Sequence, residues 1–129
     1  MTILKTYARL FVGSLDESLP FLERLVGRPA DLRFAFHQLE LAAIGDFLVI
    51  SGPAEEVEKH RGTAGPVIVS NLAEAEALLV QFGGTITHPR QEVPTGANFY
   101  ARHAGGAEVE YVQWKPELVE RIITNVLAA

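Results

Sequence analysis

Slid by 57 positions, the first half of this chain falls on its second half, and that near-repetition limits the possible folds more than any other feature. Val12 meets Val69, Ser14 meets Asn71, Leu15 meets Leu72, Glu17 meets Glu74, Leu22 meets Leu79 and Gly27 meets Gly84. The matches share a physical logic. Ser14 and Asn71 are both good helix N-caps, each with a glutamate three residues on to complete a capping box. In the first half Leu15, Leu19, Leu22 and Val26 form one helical stripe, and Gly27 supplies the stop. Two copies of one supersecondary unit are therefore expected.

Around those helices the rest reads mostly as strands. "KTYARLFV" is a strand by its aliphatic and aromatic content, and "RFAFHQLELAAIG" with "DFLVISG" reads as two strands meeting at Gly45-Asp46. Pro20 sits deep inside the first helix, where a proline costs about 3 kcal/mol, so a late start or a kink is expected. The polar run "PAEEVEKHRGTAG" reads as a linker or loop. After it come "PVIVS" as a strand, "NLAEAEALLVQFGG" as a helix, "GTITHP" as a short strand, and "NFYARHAGGAEVEYVQW" as a hairpin turning at Gly105-Gly106. "PELVERIITNVLA" closes as a helix with Pro116 near its first position, where proline is tolerated, and with Leu118, Ile122 and Val126 on one stripe. The expected organisation is one domain over 1–129: module one at 4–52, a polar linker at 53–64, module two at 65–114 and a C-terminal helix at 116–128.

Composition removes several functions. With no cysteine there are no disulfides, thiolate nucleophiles or thiolate metal sites, so a metal would need His, Asp or Glu. A formal net charge of −5 without a Lys/Arg cluster argues against nucleic acid. Lys5 and Arg9 interrupt the apolar start, and no run of eighteen apolar residues exists, so neither a signal peptide nor a membrane span is expected and a cytoplasmic protein is.

Two βαβββ modules, the first opening with "LFVGSLDESLPFLERLVG" and the second closing with "HAGGAEVEYVQ", resemble the vicinal oxygen chelate superfamily, which groups glyoxalases, bleomycin-resistance proteins and extradiol dioxygenases. The resemblance implies an α+β fold, with the paired modules forming a curved mixed sheet around a cleft that holds a ligand or metal. It also implies up to four inward-facing His or Glu ligands, which fall here on Tyr7, near Val49, on Ala64 and on Glu110. Only Glu110 is a competent donor, and a divalent ion usually needs two to four protein ligands. No metal and no other cofactor is expected.

Strand parity selects the cleft residues. In the first strand Ala8, Leu10 and Val12 suit the helix side, leaving Tyr7, Arg9 and Phe11 opposite. In the last, Val109 and Tyr111 suit the helix side, leaving Glu108, Glu110 and Trp114 to face the cleft, with Glu110 paired to Arg9 or to a ligand. His37, read as mid-strand, joins this candidate ligand-binding set as a pocket-edge group or base, whereas His60, His88 and His103 show no metal-like spacing. Aromatic walls with a few charges suit small molecules. The expected function is metal-independent binding of an aromatic or amphipathic small molecule. The alternatives are a metal-dependent lyase, isomerase or dioxygenase of the same superfamily, in which two histidines converge on Glu110, and a non-catalytic interaction domain. A homodimer is the expected assembly.

Overall fold

The computed structural model describes residues 1–125. It divides into two compact units, one of Tyr7–Gly62, the other of Met1–Thr6 with the chain from Thr63 onward.

In the Tyr7–Gly62 unit, strand β2 (Ala8–Phe11) leads to helix α1 (Leu15–Val26), then to β3 (Leu32–Phe36), β4 (Leu39–Ile44) and β5 (Phe47–Ser51), in the sheet order β2-β5-β4-β3. The Ser14 hydroxyl accepts the Glu17 N–H, and the Gly27 N–H closes the helix on the Glu23 carbonyl oxygen. Helix α1 starts at Leu15 despite Pro20, without the expected late start. Pro20 and Asp16 are both exposed, so the Asp16 carbonyl that loses its intrahelical donor can be met by water. Leu15, Leu19 and Leu22 pack on Ala42, Ile44 and Val49, with Leu10, Val12 and Val26 around them.

The second unit repeats the plan with β6 (Thr63–Val69), α3 (Leu72–Gln81), β7 (Thr85–Val93), β8 (Gly96–Arg102) and β9 (Glu108–Trp114), and its sheet order β6-β9-β8-β7 matches that of the first. An extra strand, β1 (Ile3–Thr6), pairs antiparallel with β6 at the open edge. The Asn71 side chain caps α3 through the Glu74 N–H, and Gln113 Oε1 accepts the Leu72 N–H at 2.8 Å. Leu72 and Ala75 pack on Val69, Ala97, Phe99 and Ala101. Each module is thus a sheet with one face buried under one helix, and the α+β class with paired βαβββ modules holds.

Several local expectations change. The opening strand is broken at Tyr7, because Ile3–Thr6 pairs with β6 while Ala8–Phe11 pairs with β5 in the other sheet. The stretch from Leu32 to Ile44 is two strands, since Phe36 pairs with Leu39 across a turn at His37-Gln38. His37 takes φ 55°, a left-handed conformation in which histidine is over-represented among non-glycine residues. The polar stretch carries a short helix, α2 (Ala54–Glu58), and Thr63 and Ala64 belong to β6. β7 runs for nine residues through Pro89, which an edge strand tolerates because the missing N–H costs no ladder bond. The final segment turns as α4 (Pro116–Leu118) and continues as a π-helix over Val119–Thr124, burying Ile122 and Ile123; Val126 lies outside the described residues. No helix among the described residues is long and apolar enough to cross a membrane.

Candidate functional site

Neighbouring residues of a strand point to opposite faces, so the Phe99–Tyr111 pair that lies against α3 commits its neighbours to the other face of the sheet. There the register sets Trp114 opposite Gly96, Asn98 opposite Val112, Tyr100 opposite Glu110 and Arg102 opposite Glu108. Glycine is required where Trp114 is reached: a Cβ on Gly96, at φ 153°, would lie 2.0 Å from the Gln113 carbonyl oxygen. Gly65, at φ 100°, lets β6 pass so close to β9 that a Cβ there would stand 2.9 Å from the Glu110 carbonyl oxygen.

The centre of this face is a polar pair. Asn98 is buried and donates from Nδ2 to Glu110 Oε2 at 2.8 Å. A carboxylate only accepts hydrogen bonds, which fixes the amide with nitrogen toward Glu110 and oxygen away. That oxygen, Oδ1, is buried and has no hydrogen-bond partner among the described residues. Beside the pair, Glu108 accepts the Thr63 hydroxyl and lies 3.9 Å from Arg102. The Thr63 hydrogen bond, helped by the Arg102 charge and opposed by burial, holds the Glu108 carboxyl below its ordinary pKa. Tyr100 and Trp114 are buried, and exposed His88 meets the Tyr100 ring edge-on at 5.2 Å.

Glu108, Glu110 and Trp114 therefore share one face of one sheet. Tyr7, Arg9, Phe11 and His37 belong to the other unit. Tyr7 is buried there, and its phenol is pushed well above its ordinary pKa by desolvation first and by the Asp31 and Asp46 charges next. Arg9 donates to the His60 carbonyl oxygen at 2.9 Å, and the Arg61 guanidinium sits 5.1 Å over the Phe11 ring. His37 is exposed in its turn rather than mid-strand. Asn98 and Thr63 are additions to the expected set. The signal for Asn98 was present in "GANFYAR", where a lone amide alternates with residues that all suit a core; Thr63 was hidden in a stretch read as linker.

The residues do not fit the metal of the metal-dependent superfamily members. Leu10 pairs with Val49 as Val67 pairs with Tyr111, so Val49 is the counterpart of Tyr111 and packs in the helix-side core. The counterpart of Glu110 is Leu48, which offers no donor, and neither does Ala64. Tyr7 keeps its proton. Among the described residues, no three His, Asp or Glu side chains come together as a metal site.

Two βαβββ modules, each with its last strand parallel to its first, give the chain the fold that the vicinal oxygen chelate resemblance implies. No protein-family model matches the chain, and no curated protein sequence does. The chain belongs to the same family as an uncharacterized protein from Methanosarcina mazei, to which it is 34% identical over 89% of this chain and 95% of that one, with a TM-score of 0.84. Methylmalonyl-CoA epimerase from Mycobacterium tuberculosis shares the fold at 14% identity, over 91% of this chain and 92% of that one, with a TM-score of 0.71. A Streptomyces coelicolor methylmalonyl-CoA epimerase does so at 10% identity, over 89% and 97%, with a TM-score of 0.67.

Proposed function

We propose that this protein is a metal-independent small-molecule binder of the bleomycin-resistance type, and that the Glu110–Asn98 face of its second module receives the ligand. The observation that carries this reading is the buried Asn98 Oδ1, an acceptor without a partner among the described residues, set beside an acidic side chain. Leaving a buried acceptor unmet costs about 1–3 kcal/mol, so such an atom is the natural place for a donor to arrive. The open Asn98 acceptor calls for an amine or hydroxyl group, and Trp114 and Tyr100 on the same face suit an aromatic body. The likeness to methylmalonyl-CoA epimerases, at 10 to 14% identity, is one of fold, so their substrate is not carried over.

Thermal-shift and calorimetric screening with aromatic amines and alcohols, tyramine among them, tests the reading. Glu110→Gln keeps the shape and removes the charge, and it should weaken hits by about 1.5–3 kcal/mol, the worth of a hydrogen bond to a charged group. Hits that bind wild type and variant equally would sink the assignment. An absence of hits would favour an interaction domain.

A further inference from the structure

A concavity lies on the opposite face of the same sheet. It opens between β1, α3 and the turn joining β8 to β9, with a volume of about 620 Å³. Ile3, Leu78, Leu79 and Phe82 form its walls. Three of them are held in water, Ile3 at 58%, Leu78 at 46% and Phe82 at 71% exposure. Large apolar side chains gathered around a hollow, rather than scattered singly, mark a binding surface. The hollow is in the size range of small-molecule sites, about 300–1,000 Å³.

Two polar side chains are built into this apolar lining. His103 Nε2 lies 2.6 Å from the Tyr111 hydroxyl, and the two rings stack at 28°. Burial raises the Tyr111 phenol above its ordinary pKa, so it keeps its proton. With the imidazole neutral, the pair holds two protons on nitrogen or oxygen, and the bond between them uses one. Whichever tautomer His103 adopts, one donor is left over: the Nδ1–H if the tyrosine donates, or the phenol O–H if the imidazole does. No described residue hydrogen-bonds His103 Nδ1.

We propose that this hollow is a second ligand site, taking a medium-chain amphipathic molecule whose apolar chain lies along Ile3, Leu78 and Phe82 and whose head accepts a hydrogen bond from the His103–Tyr111 pair. The chemistry differs from that of the Glu110 face, which asks its ligand for donors. Tyr111 and Glu110 are adjacent on β9 and point to opposite sides of the sheet, so the two sites are independent.

Calorimetry with 1-octanol and with octylammonium as probes tests the proposal. 1-Octanol should bind wild type, and Tyr111→Phe should weaken it several-fold to about tenfold, the worth of one neutral hydrogen bond. Octylammonium, which has no acceptor, should gain nothing from the His103–Tyr111 pair, so its binding should be indifferent to Tyr111→Phe. Leu78→Glu alters an exposed position outside the core cluster, and it should abolish 1-octanol binding. The proposal falls if 1-octanol does not bind, if Leu78→Glu binds it as well as wild type does, or if Tyr111→Phe weakens octylammonium as much as it weakens 1-octanol. It falls equally if sedimentation velocity shows a dimer that Leu78→Glu dissociates, since the hollow would then be filled by a second copy.

Discussion

Asn98→Asp exchanges one amide nitrogen for a carboxylate oxygen at a position only 2% exposed, with almost no change of shape. In the native chain that nitrogen donates to Glu110 Oε2 at 2.8 Å. The variant would hold two carboxylates there with no proton between them. Unit charges about 4 Å apart repel by about 4 kcal/mol at an effective dielectric constant near 20. The folded chain can instead capture a proton. Raising an aspartate from about 3.9 to titrate near pH 7 takes about 3 pKa units at about 1.4 kcal/mol each, again about 4 kcal/mol. Both routes predict a loss of about 4 kcal/mol at neutral pH. Because the folded pair binds its proton more tightly than the unfolded chain does, the deficit is smallest below the unfolded pKa and grows as pH rises through the folded one. Urea denaturation at pH 4 and pH 7 reads this directly. Adding Glu110→Gln should restore stability to within about 1 kcal/mol, because one amide and one carboxylate again face each other. A deficit that is small at pH 7, or that is equal at both pH values and survives in the double variant, would refute the pairing.

The two caps should behave alike. Asn71→Ala should cost about 1 kcal/mol in chemical denaturation, and Ser14→Ala somewhat less, because its bond is 3.4 Å against 2.9 Å. Thr63→Val removes the hydroxyl that depresses the Glu108 pKa. Its destabilisation should be full above the ordinary carboxylate pKa of 4.5 and shrink as pH falls through the lower folded value, as followed by urea titrations from pH 7 to pH 3. For the assembly we propose a homodimer that covers the outer stripe of α1, where Phe21 and Leu25 are 67% and 61% exposed. Light scattering at micromolar concentration should return twice the chain mass, and Phe21→Ser with Leu25→Ser should halve it; a monomeric wild type would remove the claim.

Helices were the easiest part to read, because their signals are local. A cap such as Asn71, a stripe such as Leu15–Leu19–Leu22 and a stop such as Gly27 all act within a few turns of one another, so the sequence carries them in full. The strands were harder. "KTYARLFV" has one continuous pattern, yet Tyr7 divides it between two sheets, and Pro89 sits inside a nine-residue strand because that strand lies at an edge. Nothing local marks the turn at His37, because a two-residue turn in an otherwise apolar run leaves little trace without glycine.

By itself, then, the sequence determined that there are two like modules and where their helices begin and stop, since both depend on residue type and short spacing. Tertiary structure decided the rest. That Asn98 meets Glu110, that Thr63 meets Glu108 across 45 positions, and that His103 and Tyr111 line a hollow beside α3 depend on strand register and on the β6–β9 crossing. Register is set by the sum of many weak packing choices across the whole sheet, and a one-residue slip would turn every side chain of β9 to the other face.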